Sequence, residues 1–119
     1  MYVFISYSSK DHKIAKRLEA ELCRLGIDCF LDRKEISWGD DVVAKITAGI
    51  AACSSLIVIV SLDSVRSQWI PFEVGVATAL GKRVLPFVTH PSIDLPAYLS
   101  RFHYKTRLSD IKDHFKPAA

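Results

Sequence analysis

The chain has few of the residues that would commit it to metal, redox or phosphate chemistry. Its three cysteines, Cys23, Cys29 and Cys53, are odd in number and form neither a Cys-x-x-Cys pair nor any regular ligand spacing. That pattern speaks against a disulfide framework and a zinc site, and leaves buried free thiols in a reducing compartment as the expectation. The four histidines, His12, His90, His103 and His114, are scattered with no His-x-x-x-His pair, so no metal is expected. Basic runs never exceed two residues (Lys16-Arg17, Arg33-Lys34, Lys82-Arg83) although the net charge is +3, which gives direct nucleic-acid binding little support. Long hydrophobic runs are also missing. The longest aliphatic run, Leu56 to Val60, is far too short to span a bilayer. Met1 leads straight into strand-like residues without a basic n-region, which argues against a signal peptide. The expectation is therefore a cytoplasmic chain with neither membrane nor nucleic acid as its partner.

What is present is enough for one modest core. Of 119 residues, 50% are hydrophobic and 24% charged, the proportions of a globular domain too small to divide in two. A single domain over 1–116 is expected, with 117–119 as a tail or the start of a linker to a fused sensor domain, a sensor that could equally be a separate protein.

Along the chain, strand-like and helix-like segments alternate. Residues 2–6 are apolar and β-prone. Ser8 and Ser9 then offer helix caps, Asp11 falls in a first turn and Gly26 is a stop signal, with Ile14, Leu18, Leu22 and Leu25 at helical spacing. A second strand is predicted over 27–32. A polar loop follows, and Asp40 or Asp41 opens a helix through Ile50. Residues 56–61 are apolar until their last member, as in a central parallel strand covered on both faces. Pro71 suits the first turn of a helix that ends near Gly81. A fourth strand is predicted over 83–89, where Pro86 marks an edge or a bulge. A loop with one helical turn, a fifth strand over 102–108 and a last helix capped by Ser109 complete the reading. The fold class expected is α/β: a doubly wound, five-stranded parallel sheet with flanking helices, flavodoxin-like, with strand order 2-1-3-4-5.

Sheets of this kind bind ligands outside the carboxyl ends of their strands, at the topological switch point. Here that point would gather Tyr7, Ser8 and Ser9, the loop following Asp32, the Ser61 to Asp63 turn and the start of the Pro71 helix. The same region holds an unusual acid. Between Ser67 and Gly81, Glu73 is the single charged side chain, four residues after Trp69. Burying an unpaired carboxylate costs several kcal/mol unless hydrogen bonds compensate, so a lone acid in an apolar segment is a candidate functional group. The plainer alternative is a glutamate near a helix N-terminus that faces water and favours the positive end of the dipole.

Several chemistries of this architecture lack their residues. A phospho-receiver needs paired acids after the first strand, where this chain has Ser6-Tyr7-Ser8-Ser9. A dinucleotide fold needs a glycine-rich first turn, and a hydrolase elbow needs Gly-x-Ser-x-Gly; neither is present. Cleavage of an N-glycosidic bond needs less. An oxocarbenium-like transition state is stabilised by a nearby anion, and a leaving base that is already cationic, such as the nicotinamide of oxidised NAD, departs neutral without a general acid. One carboxylate can then suffice. Trp69, one helical turn earlier, could orient it or serve as an ordinary core aromatic.

Phe4-Ile5-Ser6-Tyr7-Ser8 with Lys10-Asp11, then Phe30-Leu31-Asp32, then Trp69-Ile70-Pro71-Phe72-Glu73, resembles a TIR (Toll/interleukin-1 receptor) domain, in order along nearly the whole chain. The resemblance implies one of two activities: adaptors that work by self-association, or enzymes that cleave NAD at the nicotinamide bond. It implies that Glu73, in its Trp-x-x-x-Glu context, is the catalytic carboxylate, with NAD+ as substrate rather than cofactor. It also implies that the loop after the first strand, here Ser8 and Ser9, lines the nucleotide pocket. With the switch-point residues Tyr7, Asp32 and Ser61, and with Ser37, Trp38 and Trp69, these make up the expected substrate-binding set. The loop from Arg33 to Gly39 would mediate self-association and could complete a neighbour's site. Departures are visible at Ser37-Trp38-Gly39, where many relatives have Pro-Gly or an acid-rich sequence, and at Ser8 and Ser9, where some have arginines. Trp38 could stack on a ligand base, dock on another domain or fold back on the core. For a bacterial chain, the resemblance implies antiphage defence. A nucleoside or nucleotide base transferase on a related fold remains a further alternative.

Overall fold

The computed structural model describes residues 2–31 and 38–115. Its strands are β1 (Tyr2–Ser6), β2 (Asp28–Leu31), β3 (Ser55–Val60) and β4 (Arg83–Val88), and its helices are α1 (His12–Cys23), α2 (Val42–Ala51), α3 (Trp69–Ala79) and α4 (Leu108–Phe115). The strands form one parallel sheet in the order β2-β1-β3-β4. Val3, Ser55 and Arg83 share one level of the register, and Ile5, Ile57 and Leu85 another. β3 is central and all six of its residues are buried, which is why it reads as an uninterrupted apolar run.

The two faces carry separate cores. Ala15, Leu18 and Leu22 of α1 and Ile111 of α4 pack on Val3, Ile5, Ile57 and Ile59. On the other face Ile46 and Ile50 of α2, with Ile70, Val74 and Ala77 of α3, pack on Phe4, Leu56, Val58 and Val60. Gly49 is what lets α2 approach so closely. A Cβ there would lie 3.2 Å from the rings of both Phe4 and Phe30, which are stacked with centroids 5.1 Å apart.

Local chemistry sets the helix ends. Asp41 caps α2 by accepting the Ala44 N–H at 3.0 Å. Ser67 Oγ accepts from the Trp69 and Ile70 N–H groups at 3.2 and 3.4 Å, so α3 starts just before Pro71. After α1 the chain turns at Gly26, whose φ of 77° is the left-handed region a glycine enters without steric cost. Ser8 does act as a cap, but of a short 3-10 turn over Ser9–Asp11 that precedes α1. α4 begins at Leu108, one residue before the expected cap. Cys53 is buried and Cys29 partly so, whereas Cys23 is exposed. Cys23 follows the inward-facing Leu22 and is rotated off the buried stripe of α1.

The predicted fifth strand is not formed. Between β4 and residues 102–108 there is a single bridge, Phe87 with Lys105, in which the Lys105 N–H donates to the Pro86 carbonyl and the Val88 N–H to the Lys105 carbonyl. Extending that ladder backwards would need an N–H from residue 86 on the same edge. Proline has none, so pairing stops after one residue. Among the described residues no helix is long and apolar enough to cross a membrane.

Candidate functional site

After β1 the chain crosses to the face covered by α1; after β3 it crosses to the face covered by α3. The carboxyl ends of these adjacent strands are therefore where the two crossovers part, and a crevice opens there by necessity. A cleft of about 380 Å³ occupies it, lined by Ser8, Ser9 and Lys10 on one side and by Asp63, Arg66, Ser67, Gln68 and Trp69 on the other. Its size falls within the range of small-molecule sites.

Glu73 sits one turn further along α3 than Trp69 and is fully buried. Ser6, the last residue of β1, donates its hydroxyl to Glu73 Oε1 at 2.7 Å. A water-facing glutamate at a helix start does not describe this residue. The carboxylate is held in the protein interior by a strand from the other side of the switch point, and such bonds to a charged acceptor are among the stronger ones. Trp69 is half-buried and meets Phe72 edge-on, with centroids 5.9 Å apart. It forms a wall of the cleft while Glu73 lies behind the lining.

A second polar network ties the two sides together. Ser61 Oγ donates to Asp11 Oδ2 at 2.5 Å and accepts the Ser64 N–H at 3.0 Å, while Ser64 Oγ accepts the Ser61 N–H at 2.7 Å. Burial of Asp11 raises its carboxyl pKa; the Ser61 hydroxyl opposes that rise and the nearby Asp63 charge adds to it. Asp11 does not serve as a helix-start acid facing water. It fastens the turn after β1 to the turn after β3.

Of the residues expected in the pocket, Ser8, Ser9 and Trp69 line the cleft. Tyr7 is buried, its ring near that of His12 at 6.3 Å, and Ser61 is buried within the Asp11 network, so neither lines it. Trp38 is fully exposed at 105% of its reference surface, which removes folding back on the core as an option. Asp32 and Ser37, with most of the loop from Arg33 to Gly39, lie outside the described residues.

Three contributions escaped the sequence reading. Lys10 and Arg66 bring cationic side chains to opposite sides of the cleft. Arg66 did carry a signal, as the single basic residue between Lys45 and Lys82. Ser6 was visible as a hydroxyl ending an otherwise apolar strand, but its partner stands 67 residues away. Taken together, the site offers the buried Glu73 and Asp11 carboxylates and, around the cleft, two cations, the Asp63 carboxylate and hydroxyls. Those groups suit a ligand with anionic phosphates and a reacting centre that turns cationic.

Comparison with known proteins places this geometry in context. The TIR domain of the Toll-related receptor TRR-2 from Hydra magnipapillata superposes with a TM-score of 0.77 at 22% identity, covering 95% of this chain and 90% of that one. A 2-deoxyribosyltransferase from Bacillus psychrosaccharolyticus gives a TM-score of 0.77 at 18% identity over the full length of both chains. The CMP N-glycosidase BcmB of Clostridium botulinum gives 0.67 at 19% identity, covering 96% of this chain and 97% of the other. At such identities these likenesses concern the fold alone. Curated proteins provide no match. The sequence itself matches the TIR domain family over residues 3–117, and the chain belongs to that family.

Proposed function

We propose that the chain is an NAD+ glycohydrolase that cleaves the nicotinamide–ribose bond, with Glu73 as the catalytic carboxylate. The observation that carries this reading is the Ser6–Glu73 bond, which holds a fully buried acid at the switch point beside a cleft bearing Lys10 and Arg66. NAD+ is the substrate and no cofactor is required. As the C1′–N bond breaks, its electron pair leaves with nicotinamide, which becomes neutral. Positive charge develops at C1′ and is stabilised by the Glu73 carboxylate; water then adds to C1′ and releases a proton, giving ADP-ribose. Lys10 and Arg66 would hold the pyrophosphate, and Trp69 would bound the nicotinamide end.

Because Glu73 is buried, substrate contact needs a rearrangement, and self-association through the loop from Arg33 to Gly39 is the trigger we assign to it. The exposed Trp38 supports an interface role for that loop. The biological setting that follows is cytoplasmic immune defence, antiphage in a bacterium, under a fused or separate sensor.

The burial of Glu73 also supports a second reading, a non-catalytic TIR adaptor in which the acid is purely structural. Nicotinamide release from NAD+ by concentrated, assembled protein separates the two. Turnover that disappears in Glu73→Gln is expected; activity surviving in that variant, or none in assembled wild type, overturns the enzyme reading. Release of free base from nucleosides with NAD+ left intact would instead indicate a base transferase or nucleosidase.

A further inference from the structure

A second concavity, of about 420 Å³, lies beside the first half of β4, at the opposite end of the sheet from the candidate site. Val84, Phe102, Ile111 and Phe115 make its apolar surface. Lys82, Arg83, Arg101 and Lys105 stand around it, and among the described residues no carboxylate lines it. None of the four is ion-paired among the described residues. Lys82 Nζ donates to the Ala51 carbonyl at 3.1 Å, and the Arg101 guanidinium lies 4.8 Å above the Phe102 ring centroid. Among the described residues, the positive charge around the groove thus has no carboxylate partner.

The groove runs along the outer edge of β4, which the described residues pair only in part. In a parallel strand the N–H and C=O of one residue point to the same side, and alternate residues share that side. Pro86 and Val88 both bond outward, to Lys105. Val84 has the same parity, so its N–H and C=O are directed into the groove. Residues 101–108 reach the β4 backbone through Lys105 alone. Val84 is buried, but its outward donor and acceptor take no backbone bond among the described residues, and such an unpaired edge is a template for a further strand.

We infer that this groove docks an extended acidic segment of a partner protein. The segment adds beside β4 and exchanges backbone bonds with Val84. One set of alternate side chains covers Phe102 and Phe115, and its carboxylates meet Arg83, Arg101 and Lys105. Pro86 sets the end of the added ladder, since it offers no donor. Strand addition of this type takes affinity from main-chain bonds and specificity from alternate side chains. A small anion would use the cations and leave Val84 and the apolar surface unused, which is why a peptide fits better.

The test is a titration of isotope-labelled protein, followed by amide NMR, with a short capped peptide alternating glutamate and valine. The expected result is a shift of the Val84 and Lys105 amide signals, with affinity reduced roughly tenfold or more by Arg83→Glu with Arg101→Glu and by added salt. Both arginines are exposed, so the double variant keeps its fold, checked by circular dichroism. The same peptide N-methylated at alternate residues should lose binding because it cannot pair with the edge. Equal binding of the methylated peptide, or full displacement by inorganic pyrophosphate, would reduce the groove to an anion site and overturn the inference. So would an absence of shifts. Concentration-dependent shifts at these residues without peptide, abolished by the double variant, would assign the groove to a second copy of the chain instead. Nicotinamide release is not part of any readout, so this result stands apart from the NAD+ reading.

Discussion

Ser6 and Glu73 are 67 residues apart in sequence and 2.7 Å apart in space, hydroxyl to carboxylate. Their bond joins the end of the second-most central strand to the second turn of α3, across the point where the two crossovers diverge. Removing the hydroxyl by Ser6→Ala takes one donor from a buried carboxylate and should cost about 1–3 kcal/mol in urea denaturation. Glu73→Gln keeps an oxygen that can accept from Ser6, so its folding should change by less than about 1 kcal/mol while nicotinamide release is abolished. A strongly unstable Gln variant would show that the charge serves the fold rather than catalysis.

Lys10 and Arg66 are assigned to binding more than to chemistry. Charge reversal at either should raise KM for NAD+ about tenfold or more with a smaller loss of kcat, and should weaken the salt dependence of KM. Initial-rate kinetics over a range of NAD+ and salt check this. A loss confined to kcat would put the two cations at the reacting centre.

Asp11 gives a pH dependence of defined sign. Its folded pKa is raised above the ordinary 3.8, so the native state binds the extra proton. Its stabilising contribution is therefore complete below that ordinary value and is lost as pH rises through the raised one. Asp11→Asn, which cannot ionise yet still accepts from Ser61, should flatten this fall in stability. Urea midpoints of both proteins at stepped pH provide the comparison; a parallel pair of curves would remove Asp11 as the cause.

Gly49→Ala tests the packing of α2 on the sheet. Alanine favours a helix by roughly 1 kcal/mol over glycine. Here its Cβ would press on two stacked rings at 3.2 Å, and overpacking typically costs about 1–3 kcal/mol. The net expectation is loss of stability, measured as a lower denaturation midpoint; a gain would mean that the rings of Phe4 and Phe30 yield.

The thiols should divide by exposure. Burial pushes Cys29 up to about 12 and Cys53 up to about 11, and both positions restrict access of reagent. Cys23 alone is exposed, so native protein should show one fast-reacting thiol with an aromatic disulfide reagent and three after unfolding. Two fast thiols in the native state would place Cys29 nearer the surface than the structure does.

Much of the architecture was legible because it rests on local patterns. The apolar run of β3, the helical stripe of α1, Pro71 in the first turn of α3 and the caps at Ser8 and Asp41 are all written within a few neighbouring residues. The order of strands followed from the alternation of elements and the handedness of crossovers, and Glu73 stood out because its own segment holds no other charge. The missing fifth strand was a matter of degree: residues 102–108 have strand-like composition, but whether they pair depends on which edge Pro86 presents, and the side of a strand facing outward is a property of the assembled sheet. Likewise the sequence could mark Trp38 as an unusual loop residue without deciding between burial and exposure.

The residues thus determined by themselves that a lone acid, a Trp-x-x-x-Glu spacing and a parallel α/β sheet occur together. Tertiary structure alone decided that Ser6 holds the acid, that Asp11 is tied to Ser61 rather than to its own helix, and that Lys10 and Arg66 face one cleft. The physical reason is that a hydrogen bond or a charge pair depends on distances of a few ångströms between segments separated by dozens of residues. Local propensity is silent about such distances until the sheet has brought the segments together.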